Sequence, residues 1–180
     1  ASVQQPRTVG NVLRPYRPYI LCQVNGDPSS NNPQSQSVCN PQEAQVVAQL
    51  VECLAQRSTA WYSTDQLRII TFYSSQVVAI RRLLSRKYPK VSVATVDSSQ
   101  GCESDVVILS FVRGKGTAGF LTDNRRLNVA LTRARHQLIC VANASAMQAL
   151  TKAPNVKALA LDANERRVVE TIEEIMQKHG

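Results

Sequence analysis

The feature that most constrains the fold is an apolar run, VVILSFV, at residues 106–112, interrupted only by Ser110. It is far shorter than the roughly 20 residues of a membrane-spanning helix. It also lacks the apolar–polar alternation of a strand with one wet face. A run of this kind predicts a strand buried on both sides, the environment of a parallel sheet covered by helices. Residues 91–96 form a second such strand, and a polar turn holding Asp97, Gln100, Gly101 and Glu103 joins the two.

Similar short blocks predict strands at 19–24, 67–72 and 137–141. Helical patterns separate them. Asn40 reads as a helix N-cap, with Pro41 at the first helical position and Glu43 as its reciprocal partner. Ala44, Val47, Val51 and Leu54 then follow at helical spacing. Residues 73–76 turn into a second helix, through Lys87, with Val77, Ile80 and Leu84 facing inward. A short helix is predicted over 144–152. Asp162 is expected to cap a last helix, with Glu165 as its capping partner and an apolar stripe of Val168, Ile172, Ile175 and Met176. The resulting order, β-α-β-α-β-β-α-β-α-α, predicts an α/β fold: a mostly parallel sheet with helices on both faces.

The apolar fraction of 43% over 180 residues fits one globular domain. Residues 1–18, punctuated by Pro6, Pro15 and Pro18, read as an N-terminal arm, and 19–180 as the domain itself. Residues 25–40 and 57–66 are loops by composition, the latter with Trp61 and Tyr62 as anchors. The net charge of +8 and pI near 9.6 suit a polyanionic partner or, equally simply, a solvated basic surface. Five scattered cysteines without a C-x-x-C pair, and two distant histidines, predict free thiols and no metal site. With no apolar leader and no spanning segment, the expected location is intracellular, cytoplasmic or nuclear, in the intact protein or a piece of a longer one.

Three groups of residues bear chemistry. A helix through residues 125–134 would place Leu127, Ala130, Leu131 and Ala134 on one buried stripe. Arg126 and Arg133 would then stand about 20° apart at its edge, with Arg125 on the opposite side. Two guanidinium groups so placed could bind phosphate oxygens, or merely join surface ion pairs. The turn at 97–103 sets an amide, Gln100, beside a carboxylate, Glu103, with Gly101 permitting the bend; a plain polar turn uses the same residues. Tyr73 and Gln76 follow a strand and open a helix, where the ring could stack on a base or simply pack. No G-x-x-x-x-G-K-[ST] phosphate loop is present, so the chain as given cannot hold Mg-ATP by itself.

The segments ITFYSSQ, VATVDSSQGCESDVVILSFVR and FLTDNRRLNVALTRARHQLICVAN resemble motifs IV, V and VI of superfamily 1 helicases. The resemblance is to the RNA-surveillance type, a group that includes senataxin-like and Dna2-like enzymes, and it covers residues 19–143. Ser37, Asn40, Glu43 and Ala44 match a further upstream motif of that group. It departs from the family at Phe72, often Pro, and at Cys102, often basic or polar. The resemblance implies the second of two RecA-like domains, with ATP and Mg²⁺ bound between them and the metal ligands in the first. Tyr73 would stack on or beside the adenine, with Gln76 also in the cofactor site, Glu103 would lie at the ribose or phosphates, and Gln100 and Gly101 at the γ-phosphate. Arg133 would be the arginine finger, with Arg126 supporting it. Thr95 and Ser98 would touch single-stranded RNA or DNA. The implied activity is ATP-dependent helicase action in the complete protein; the alternative is a non-catalytic binding module that retains the fold.

Overall fold

The computed structural model describes residues 18–29, 37–56, 64–113 and 119–179. The N-terminal arm and the Trp61–Tyr62 pair lie outside the described residues, as does most of the loop after Arg113. Twelve strands and α-helices follow one another in the described chain. They are β1 (Tyr19–Gln23), α1 (Pro41–Gln56), β2 (Leu67–Thr71), α2 (Ser74–Leu84), β3 (Ser92–Thr95) and β4 (Ser104–Ser110). After these come α3 (Asn124–Leu131), β5 (Ala134–Ala142), α4 (Ala144–Gln148), α5 (Pro154–Glu165), β6 (Val169–Glu170) and α6 (Ile172–His179).

The six strands form one sheet in the order β3-β2-β4-β5-β1-β6, and every pairing is parallel. Because side chains alternate along a strand, β4 feeds two cores at once. Val106 and Ile108 point into a cluster with α1, α2 and α6. Val107 and Leu109 point the other way, among Leu127, Ala130, Met147 and Val156 of α3, α4 and α5. Val107, Ile108 and Leu109 are completely buried, which is why the run tolerates no polar residue between them. The α/β architecture with helices on both faces is the one the apolar run predicts.

Several boundaries differ from the sequence reading: α2 ends at Leu84 and not Lys87, α5 and β6 stand where one last helix was expected, so that Val168 precedes β6, and Met176 is exposed. Helix α3 ends at Leu131, with Thr132 as its C-cap, so Arg133 lies beyond it and Ala134 already belongs to β5. The 20° relation between Arg126 and Arg133 therefore does not exist; pairing of Ala134 with Ser104 draws this segment into the sheet instead. At the C-terminus, Asp162 lies inside α5 and pairs with Arg166 one turn on, at 2.8 Å. The capping box belongs to Thr171 and Glu174: the Glu174 amide donates to Thr171 Oγ1 (3.2 Å), and Glu174 Oε2 accepts from the Thr171 amide (2.7 Å). A Thr-x-x-Glu spacing beats Asp162–Glu165 because β6 must first pair with β1 before α6 can start. Thr171→Ala should therefore lower the unfolding free energy by about 1 kcal/mol in a urea titration. Asp162→Ala should shift the midpoint far less.

Candidate functional site

The turn after β3 is built from short hydroxyl contacts. Residues Asp97–Ser99 form one 3₁₀ turn. Ser98 Oγ lies 2.9 Å from Thr95 Oγ1 and accepts from the Thr95 amide at 3.1 Å, so these two residues lock each other. Ser99 is buried and donates to the Val96 carbonyl at 2.7 Å. Gly101 has φ +78°, and a side chain there would meet open space. Glycine is required at that point by backbone conformation and not by crowding. Gln100 is exposed beside it, and Glu103 stands at the start of β4, half exposed, 3.6 Å from Arg135.

Across from this turn, Asp123 caps α3 by accepting from the Arg125 and Arg126 amides at 3.0 and 3.3 Å. The cap fixes the first turn of the helix. Arg126 then reaches Asp97 Oδ1 at 3.0 Å, lies 3.7 Å from Asp123 Oδ2, and stacks over the Phe120 ring at 4.8 Å. Arg125 is exposed, as expected. Arg133, half-buried, donates to the Val129 carbonyl (3.1 Å) and to Thr132 Oγ1 (3.3 Å). Among the described residues it has no carboxylate partner. Its own carbonyl accepts from the Ser104 amide at 3.0 Å, which seats Arg133 directly beside Glu103. Sheet pairing thus seats Arg133 beside Glu103, and the Asp97–Arg126 bridge ties the start of α3 to the turn that carries Gln100 and Gly101.

Tyr73 and Gln76 are placed differently. Tyr73 is fully buried, with the Phe120 ring 5.4 Å away and the Arg113 guanidinium 5.2 Å from its centre. Its hydroxyl accepts from Arg113 Nε at 2.8 Å and from the Phe120 amide at 3.3 Å. Gly119, at φ +51°, lies so close that any side chain there would strike the Tyr73 hydroxyl and Arg113. As placed, the ring packs, and no face is open to a base. Gln76 is also buried and wholly engaged. Its Oε1 accepts from the Asn40 amide (2.8 Å), while its amide group donates to Ser110 Oγ (3.1 Å) and the Asn40 carbonyl (3.3 Å).

That last contact belongs to a polar cluster that sequence reasoning treated as a helix cap. Asn40 does cap α1, since its Oδ1 accepts from the Glu43 amide at 3.1 Å. The reciprocal half of the expected box is absent: Gln76, not Glu43, takes the Asn40 amide. Glu43 turns inward instead, and its Oε2 accepts from Ser110 Oγ (2.6 Å) and the Val112 amide (2.9 Å). Burial pushes its carboxyl up to about 7, opposed by these hydrogen bonds. Val112 has φ +69°, and the Arg113 amide donates back to the Phe111 carbonyl at 2.8 Å, closing a three-residue γ-turn. For a β-branched residue that conformation costs about 1–3 kcal/mol and needs outside support. Nothing in the sequence marks Val112 as left-handed; Glu43 was visible only as a capping residue and a motif position.

Among the described residues no three His, Cys, Asp or Glu side chains form a metal-binding group, and no helix is long and apolar enough to cross a membrane. The described cysteines are all free.

Residues 1–145 match the family model described as an AAA domain. The chain is 33% identical over 175 residues to helicase sen1 of Schizosaccharomyces pombe, covering 93% of this chain and 10% of that protein. It is 35% identical over 150 residues to the human DNA replication ATP-dependent helicase/nuclease DNA2, covering 80% and 14%. With the rat DNA-binding protein SMUBP-2 it shares 39% over 109 residues, covering 59% and 11%. The chain therefore spans only a small part of the length of these relatives. The matched family and the parallel sheet agree: the chain belongs to the superfamily 1 helicases of the RNA-surveillance, Sen1 and Dna2 type.

Proposed function

We propose that this chain is the second RecA-like domain of an ATP-dependent helicase or translocase, and that Arg133 is its arginine finger. One observation carries the assignment. Arg126 is held by Asp97 and Asp123, while Arg133 meets no carboxylate among the described residues. A guanidinium anchored only to a carbonyl and a hydroxyl keeps its charge for an incoming anion. Arg126, tied at both carboxylates, is suited to hold the Gln100–Gly101 turn in place, and Glu103 to accept a hydrogen bond from a ribose hydroxyl.

In this reading ATP lies between this domain and the first RecA-like domain of the same protein, which holds the Mg²⁺. When bound, Mg²⁺–ATP would supply the phosphoryl group and positive charge beside it. Arg133 neutralises charge that develops on the γ-phosphate, an effect made only in the transition state. Gln100 and Gly101 line the γ-phosphate side. Tyr73 can serve the adenine only if Phe120 and Arg113 withdraw, and Gln76 acts by holding the strand ends behind it. Thr95 and Ser98, at the exposed turn after β3, contact the backbone of single-stranded RNA or DNA. The net positive charge supports that strand through its phosphates. Free thiols suit the reducing environment in which such enzymes act on nucleic acid.

In the complete protein, Arg133→Ala should lower strand-stimulated kcat by about 10³–10⁵ and leave the KM for ATP much less changed. Arg133→Lys should fail nearly as badly, whereas Arg125→Ala should keep most of the rate. Equal losses in Arg133→Ala and Arg125→Ala, with circular dichroism unchanged, would remove the finger role. Fluorescence anisotropy with single-stranded oligonucleotides gives an independent check. Affinity should fall steeply from low to physiological salt, as phosphate contacts release counterions. Salt-independent affinity would assign the basic surface to another partner.

A further inference from the structure

The cluster at the C-terminal end of β4 goes well beyond capping a helix. Three buried side chains, Asn40 and Glu43 at the start of α1 and Gln76 of α2, converge on Ser110 and Val112. Asn40 Nδ2 donates to the Val112 carbonyl at 3.3 Å while Glu43 takes the Val112 amide at 2.9 Å. Both polar groups of the left-handed residue are therefore gripped from α1. The γ-turn reverses the chain, and the next residue, Arg113, lands on the Tyr73 hydroxyl. Tyr73 in turn receives the Phe120 amide and packs on the Phe120 ring, and that ring carries the Arg126 guanidinium.

We propose that Glu43 is a positioning residue for the arginine face. By clamping the γ-turn at Val112 it sets Arg113 on Tyr73, and through Phe120 it fixes where Arg126 stands. The contacts are contiguous: Glu43 to Val112, Arg113 to Tyr73, Tyr73 to Phe120, Phe120 to Arg126, and Arg126 to Asp97 beside Gln100. No step requires Glu43 to touch nucleotide. The consequence for turnover rests on the reading of Arg126 as part of the ATP face; the clamp itself does not.

The bonds from Ser110 and Val112 use the same Glu43 oxygen, Oε2. A glutamine carbonyl can accept both, so Glu43→Gln should preserve the clamp, whereas Glu43→Met keeps the length and removes the acceptor. In the complete protein, hydrogen exchange is measured at two amides, Val112 (donated to Glu43) and Phe120 (donated to Tyr73), alongside strand-stimulated ATPase. Glu43→Met should speed exchange at both amides and lower kcat roughly 2- to 30-fold, the range of coupling carried by non-contacting residues. Glu43→Gln should match the wild type in both. Faster exchange at Val112 alone, with Phe120 unchanged, would show that Glu43 merely fills its own site and overturn the proposal; so would equal damage from both variants. Should Glu43→Met not fold, Ser110→Ala removes one donor to Oε2 and carries the same comparison, with faster exchange at both amides expected and an unchanged Phe120 amide overturning it. A folded complete protein without any ATPase would refute the helicase reading instead, and the two amides would still decide the clamp.

Discussion

Burial of β4 on both faces from Val106 to Ser110 is the constraint on which the rest depends. A strand with no wet side can present polar groups only at its ends, and both ends of β4 are used. At its start, Ser104 pairs with Ala134 of β5 and accepts Arg133 as a neighbour. At its finish, Ser110 and the Val112 turn are gripped by α1 and α2. Val107 and Leu109, between the two ends, share one core with Leu127 and Ala130 of α3.

The electrostatics of the arginine face follow from unequal pairing. Arg126 has two carboxylates and an aromatic ring, a combination that fixes a long side chain at the cost of rotamer entropy. These are partly exposed pairs, whose gain is geometric more than energetic. Arg133 is held by weaker, uncharged acceptors and keeps its field. A surface that orients one guanidinium and leaves the other unneutralised is better suited to an anion that comes and goes than one in which both are paired.

Glu43 shows the opposite economy. Its carboxyl is buried and pushed up to about 7, whereas an exposed glutamate titrates near 4.3. Between those values the unfolded chain gives up a proton that the folded chain keeps, so this group makes the fold less stable as pH rises through that window. Above about 7 the penalty is constant. A residue that costs stability yet holds a strained turn is one whose value lies in geometry, and Val112 is the turn it holds.

The sheet was legible from the chain alone. Continuous apolar runs, period-two burial and amphipathic stripes at Ala44–Val47–Val51–Leu54 require only local pattern, and the element order they imply matches the structure through α4. The site residues were legible as residue types: Arg126 beside a buried stripe, Gly101 at a positive φ, Arg125 outside. What the sequence could not fix was where α3 stops, because α-helical spacing continues through Ala134 and only pairing with Ser104 pulls that residue into β5. Nor could it separate Thr171 from Asp162 as a cap, since both spacings satisfy the same local rule and the choice waits on β6 joining β1. The sequence by itself determined which apolar side chains of the strands and of α1 and α2 enter the core, since periodicity is a property of neighbours along the chain. Tertiary structure alone decided that Tyr73 lies covered, that Gln76 is spent on Asn40 and Ser110, and that Val112 is left-handed, since each depends on partners dozens of residues away.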